Sequence, residues 1–282
     1  MSGGSGEALG LIAGEGVFPL DVARCARRAG RRLVCVALHQ RTDTRIEELA
    51  SEVTWIRPGE VGVAVEALRA AGVEEAVMAG KVPKLALLRE DPELGLDRQG
   101  EALIAELSDR MDDTILARAA DFLAGVGIRL LPQWSFSPEL LAGEGALGRV
   151  QASASQRRDI AFGFPIARQL GALDIGQTVV VKDGAVLAVE AIEGTDAALR
   201  RGGALTAGAV AVKVAKPGQD PRFDVPAIGR ETVEVLAEAG LSALAFEAGA
   251  TLVLEHEELV ACADAHGIAV LGVTADGLER ST

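Results

Sequence analysis

Between Leu9 and Ala79 short apolar runs alternate with segments of helical spacing, and no other feature constrains the fold of this chain as strongly. Leu9 to Ala13, Leu33 to Leu38, Val53 to Ile56 and Glu75 to Ala79 have the length and apolar content of strands. Val17 to Ala29, closed by Gly30, and Val61 to Ala71, closed by Gly72, carry apolar residues at helical intervals, and a short helix is expected near Asp43 to Leu49. Strands that alternate with helices run parallel, and the crossovers cover the sheet on both faces. The expectation is an α/β protein whose N-terminal half is a Rossmann-like parallel sheet. After a polar loop, Asp91 to Gly100, and a short helix, Glu101 to Leu107, the helix Ile115 to Ala124 and strand Ile128 to Leu131 carry the pattern to Pro132.

A chain of 282 residues suits two domains of ordinary size. Trp134 to Gly148 is rich in Gly, Pro and Ser and has no periodicity. The expected division is therefore residues 1–133, a linker at 134–150, and a C-terminal α/β domain at 151–282. In that second half a helix is expected over Ser155 to Leu170 and a hairpin over Gln177 to Ala191, turning at Lys182-Asp183-Gly184. Strand Ala209 to Val214, helix Glu231 to Ala239, strands Ala243 to Phe246 and Thr251 to Leu254, helix Glu257 to Ala265 and strand Ile268 to Val273 follow.

Composition narrows the partners. A formal net charge of −13 and an aromatic content of 3% argue against nucleic-acid binding, which needs a basic surface or stacking rings. An anionic ligand must then be met by local basic groups. No apolar run approaches the roughly 18–20 residues of a spanning helix. Cys25, Cys35 and Cys262 have no metal-type spacing and read as buried thiols of a cytosolic protein. Met1 to Gly6 carries neither the cationic region nor the apolar segment of a secretory signal.

The stretch Lys213 to Pro226 reads Lys-Val-Ala-Lys-Pro-Gly-Gln-Asp-Pro-Arg-Phe-Asp-Val-Pro. Its three prolines each fix a backbone angle and remove an amide donor, so it is a stiff loop, and it leaves the end of an expected buried strand. Lys213 and Lys216 have the chemistry to hold phosphate oxygens, and Asp220 and Asp224 the chemistry to hold Mg²⁺. Such a set suits metal-assisted hydrolysis of a phosphate ester or pyrophosphate. It equally suits a solvated loop with surface ion pairs.

Other candidates flank other strands. The turn Gly14-Glu15-Gly16 lies between a strand and a helix, where backbone amides can cradle a phosphate or ribose, or simply form a tight turn. It lacks the third glycine of the dinucleotide fingerprint, since Pro19 stands there, and no acidic residue closes the second strand; both speak against NAD. Lys81 and Lys84 follow a strand end, and Lys81 is the better ligand candidate. Glu190-Ala191-Ile192-Glu193-Gly194-Thr195-Asp196 gathers carboxylates and a hydroxyl after another strand; Thr195 and Asp196 either cap a helix over Ala197 to Arg201 or touch substrate. Asp112 and Asp113 have a simple reading at a helix start. His256 and His266 show no metal spacing.

Over almost its whole length the chain resembles the LpxI type of UDP-2,3-diacylglucosamine pyrophosphatases, enzymes of the lipid A pathway in Gram-negative bacteria. The likeness is carried by Leu9 to Pro19, Gly80 to Pro83, Asp174-Ile175-Gly176-Gln177, Ala188 to Asp196 and Lys213 to Pro226. The resemblance implies Mg²⁺-dependent hydrolysis of the pyrophosphate bond to UMP and 2,3-diacylglucosamine 1-phosphate (lipid X), by water attacking the phosphorus next to uridine. It implies Asp224 as the catalytic, metal-linked carboxylate, Asp220 as its partner on the metal, and Lys216 with Lys213 on the pyrophosphate. Gly14, Gly16, Lys81, Glu193, Gly194, Thr195, Asp196 and Gln219 are the further expected substrate contacts. An amphiphilic substrate implies peripheral contact with the cytoplasmic face of the inner membrane, and a homodimer is expected because two-fold dimers are the commonest assemblies. Two other classes stay open: a lipid- or nucleotide-binding module without chemistry, and a nucleotide-sugar oxidoreductase or transferase.

Overall fold

In the computed structural model residues 7–81, 94–105 and 112–279 are described, without the side chains of 112–115 and 279. Met1 to Gly6, Val82 to Lys84, Leu107 and the side chains of Asp112 and Asp113, all read above, lie outside the described residues. The chain divides into two compact units, Met1–Pro138 with Asp220–Asp224, and Glu139–Gln219 with Val225–Thr282.

In the first unit β1 (Ala8–Ala13), α1 (Phe18–Arg28), β2 (Arg32–Leu38), α2 (Ile46–Leu49), β3 (Glu52–Ile56), α3 (Val61–Ala70) and β4 (Glu75–Ala79) follow in order. Then come α4 (Arg98–Ala105), α5 (Asp112–Gly125) and β5 (Arg129–Leu130). The strands form one sheet in the order β3-β2-β1-β4-β5, and every pairing is parallel. This is the Rossmann-like arrangement expected from the alternation. On one face of the central strand Leu9, Leu11 and Ala13 have no exposed surface, and on the other Gly10 is buried between the partly buried Ala8 and Ile12. Helix α4 starts before the expected Glu101, because Asp97 Oδ1 accepts the amides of Gln99 (3.0 Å) and Gly100 (2.8 Å).

The second unit holds β6 (Gly145–Ala146), α6 (Ala154–Ala172), β7 (Thr178–Lys182), β8 (Ala185–Val189), α7 (Thr195–Gly203) and β9 (Val210–Lys213). It continues with β10 (Ala227–Ile228), α8 (Arg230–Glu238), β11 (Ala243–Glu247), β12 (Leu252–Val253), α9 (His256–His266), β13 (Ala269–Val273) and α10 (Ala275–Glu279). Six strands form a mixed sheet in the order β6-β13-β11-β9-β7-β8, and β10 pairs with β12 in a small parallel ribbon. The run β13-β11-β9 is parallel, while β6, β7 and β8 join antiparallel.

Alternation along β7 and β9 sends Val179, Val181, Val210 and Val212 to one core, under Phe164 and Ile160 of α6. It sends Val180 and Ala211 to the other, with Leu199, Leu236 and Leu259. Each fully buried valine contributes roughly 1.5–3 kcal/mol of transfer free energy. The stretch 134–150 holds a 3₁₀ turn at Pro138–Leu140 and edge strand β6, so part of it is built into this sheet. Cys25 and Cys35 are buried, and burial pushes the Cys35 thiol up to about 12, whereas Cys262 is only partly covered.

Candidate active site

Strand β9 delivers Lys213 at its carboxyl end, where the side chain is 7% exposed. A buried ammonium costs several kcal/mol unless its protons are taken up. Nζ donates to Thr195 Oγ1 (3.2 Å) and to the Ala227 carbonyl (3.2 Å). Thr195 Oγ1 donates in turn to Glu190 Oε1 (2.8 Å), and Glu190 is itself buried. Helix α7 begins at Thr195, earlier than the expected Ala197, with Gly194 before it at φ +84°, a region that favours glycine. The hydroxyl of Thr195 therefore joins a carboxylate to an ammonium. Glu193 is tied to Arg201, which also donates to the Val189 carbonyl (2.7 Å), and Asp196 is exposed in the first turn of α7.

After β9 the chain makes a tight turn. Lys216-Pro217-Gly218-Gln219 has proline second and a glycine at φ +79° third, the signature of a type II turn, and the Gln219 amide donates to the Lys216 carbonyl (3.1 Å). Gln219 Oε1 accepts the Lys216 amide (2.9 Å), while its Nε2 is buried without a hydrogen-bond partner. Both N–H groups of that amide nitrogen are therefore uncommitted. The Lys216 ammonium lies 2.7 Å from Asp174 Oδ1, at the turn that follows α6.

The next five residues, Asp220–Asp224, belong to the first unit. Arg222 donates to both oxygens of Asp220, with Nε at 2.9 and 3.1 Å and Nη2 at 2.6 Å. The guanidinium holds the Asp220 carboxyl below the usual carboxylate range. Asp220, expected on the metal, thus has both oxygens engaged by a neighbour in the same loop. The Phe223 ring packs on the core formed by Val34, Val36 and Ile128, and the Pro221 carbonyl accepts the Gln133 amide (2.9 Å). The Asp224 amide donates to the Asp220 carbonyl (3.1 Å), which fixes the backbone that carries its carboxylate.

Beyond the ends of β1 and β4 the two chains stay zipped. Gly14 donates to the Ala79 carbonyl (2.8 Å), and Glu15 and Lys81 exchange backbone hydrogen bonds (2.9 Å each). A Cβ on Gly14 would stand 2.5 Å from the Lys81 carbonyl oxygen, and one on Gly80, at φ +90°, 2.7 Å from that of Glu15. Gly14 and Gly80 therefore serve close backbone approach. The amides of Gly14 and Glu15 are already donated, so a phosphate cradle there would have to use Gly16 and the residues after it. Gly16 is exposed at φ +100°, the Lys81 side chain is exposed, and Glu15 pairs with Arg41 at 3.6 Å.

Comparisons with known proteins cover both units. Residues 8–140 match the family model of the LpxI N-terminal domain, and residues 143–271 that of the LpxI C-terminal domain. UDP-2,3-diacylglucosamine pyrophosphatase LpxI of Caulobacter vibrioides is 37% identical over 283 residues, covering 96% of this chain and 99% of that protein. The chain belongs to the LpxI family. Two residues that contact these side chains, Asp174 and Glu190, had no assigned role from sequence. Asp174 stands in the Asp-Ile-Gly-Gln motif at φ +53°, and a helix end followed by a turn at an Asp was its one local signal. Glu190 was visible as a carboxylate ending an apolar strand, but its link to Lys213 runs across the sheet.

Proposed function

We propose that this LpxI-family protein hydrolyses the pyrophosphate bond of UDP-2,3-diacylglucosamine in lipid A synthesis, releasing UMP and 2,3-diacylglucosamine 1-phosphate. The observation that carries the reading is the ammonium of Lys213, buried and fixed at a strand end, in a chain that matches a named pyrophosphatase along nearly its full length. A pyrophosphate presents several anionic oxygens, and fixed cations stabilise the charge that builds on the leaving phosphate. Lys213 and Lys216 take that role. Gln219 Nε2 offers a neutral donor to the same oxygens, and Thr195, Gly194, Glu193 and Asp196 line the approach from the start of α7. Asp224 takes the proton of the attacking water. That water's oxygen bonds to the phosphorus next to uridine and leaves with UMP, while the bridging oxygen leaves with the lipid phosphate.

Among the described residues no three His, Cys, Asp or Glu side chains gather as a metal ligand set. Magnesium ordinarily takes only one or two carboxylates and fills its other positions with water and substrate phosphates, so Asp224 together with a bound diphosphate fits that ion. In that position Mg²⁺ would neutralise phosphate charge. Arg222 already engages both oxygens of Asp220, so Asp220 holds in shape the loop that carries Asp224.

What supports peripheral contact with the inner membrane is apolar exposure near the same elements: Leu173 is 69%, Ile175 45% and Ile192 77% exposed. No helix among the described residues is long and apolar enough to cross a membrane. A homodimer is carried as part of the proposal, to be measured by light scattering. The deciding experiment incubates the protein with UDP-2,3-diacylglucosamine and Mg²⁺ in ¹⁸O-labelled water and reads the products by mass spectrometry. Labelled UMP from the natural protein, and none from Asp224→Ala, is the expected result. Unchanged substrate, or label in the lipid phosphate, would overturn the reading.

A further inference from the structure

We infer that Glu190 is the positioning residue for Lys213, acting through the hydroxyl of Thr195. The inference rests on the reading that Lys213 acts on the pyrophosphate. Its basis is donor chemistry. An ammonium only donates and an ionised carboxylate only accepts, whereas a threonine hydroxyl does one of each along a given chain. With Lys213 Nζ at 3.2 Å and Glu190 Oε1 at 2.8 Å from the same Oγ1, the hydroxyl proton must point to Glu190 and a lone pair to Lys213. A hydroxyl committed in this way offers the ammonium one seat.

The seat is rigid at the other end too. The Glu190 amide donates to the Thr178 carbonyl (2.8 Å), and Thr178 lies opposite Lys213 in the register of β7 with β9, so the three residues stand side by side across the sheet. Gly176 closes beneath Glu190, where an added Cβ would meet the Glu190 carbonyl oxygen at 2.1 Å. The second carboxylate oxygen, Glu190 Oε2, is buried and accepts no hydrogen bond, so its one hydrogen-bonded oxygen is the one that faces Thr195. A tether alone would need only an acceptor at Oε1, which glutamine also supplies. A full negative charge, in a poorly solvated place, adds attraction on the ammonium.

The competing role for Glu190 is a helix one, since a carboxylate near the first turn of α7 also complements its dipole. A double-mutant cycle separates the two. Turnover of UDP-2,3-diacylglucosamine is followed with enzyme in excess, so that very slow variants are still recorded, for Glu190→Gln, Lys213→Ala and the pair combined. Glu190→Gln, which keeps the acceptor and removes the charge, is expected to lower kcat about 10-fold with little change in KM, as for a weakened charge contact. In the Lys213→Ala background the same substitution should change kcat by less than about twofold, because its route of action is gone. Thr195→Val should reproduce the Glu190→Gln loss and Thr195→Ser should restore turnover, and this pair carries the test should Glu190→Gln fold poorly. An equal loss from Glu190→Gln with and without Lys213 would overturn the inference and leave the helix role. Near-normal turnover in Lys213→Ala would instead overturn the placement of Lys213 in the site, a separate and readable failure.

Discussion

The ammonium of Lys216 sits 2.7 Å from the carboxylate of Asp174, a residue held at φ +53°, and the Lys216 side chain is only 14% exposed. Asp174 therefore fixes the second cation of the proposed site from the end of α6, as Glu190 and Thr195 fix the first. Lys216→Ala is expected to lower kcat/KM by about 100-fold, the scale for losing one charge-stabilising donor. The ion pair itself is worth about 1 kcal/mol, so the unfolding midpoint should drop by only about 2–4 °C. Steady-state kinetics and a thermal melt on the same preparation check both halves.

Asp224 is expected to behave differently. It lies in the turn that Asp220 begins, and Asp224→Asn preserves its size, so the melt should be unchanged while product formation disappears. Dialysis against a chelator should also abolish turnover of the natural protein, and added Mg²⁺ should restore it. Full activity after chelation would remove the metal from the proposal.

The Asp220–Arg222 pair predicts a pH signature. Arg222 lowers the folded-state value of Asp220, so the pair's stabilisation is complete above the unfolded carboxylate value, about 3.9, and is lost as pH falls through the lower folded value. Natural protein and Asp220→Asn should therefore differ most in unfolding midpoint above the unfolded carboxylate value and converge only as the pH falls well below it. A gap that widened on acidification would contradict the sign.

The zipped ends of β1 and β4 predict an order among glycine substitutions. Gly14→Ala puts a Cβ 2.5 Å from a carbonyl oxygen and Gly80→Ala adds a left-handed φ to a similar clash, whereas an added Cβ on Gly16 meets nothing within 4 Å. Gly16→Ala should cost about 1–2 kcal/mol through its backbone angle alone. Gly14→Ala and Gly80→Ala should cost more, and urea unfolding midpoints rank the three.

The first unit was legible because parallel strands buried on both faces leave near-continuous apolar runs between helices of clear period. Elements of two residues, such as β6 and β10, have no period to read; Ala227–Ile228 is a strand only because Leu252–Val253 lies beside it. The five-residue α10 escaped for the same reason. At the site, residue types in Lys213 to Pro226 pointed to phosphate chemistry, but partners did not follow from spacing. Asp220 chose Arg222, two positions away, and Thr195 reached Lys213 and Glu190 instead of backbone amides. The first is a local choice within one loop; the second depends on which strands lie side by side, and that is a property of the folded sheet.

The partly buried Phe223 ring packs against a core whose members all precede Leu131. On the ribosome, then, the N-terminal unit emerges with that side of its core uncovered, until the polypeptide returns with residues 220–224. A gene fragment that stops between the two matched family regions would encode that unfinished state. Cloning the halves separately therefore leaves five residues of the first unit, Asp220–Asp224, on the other fragment.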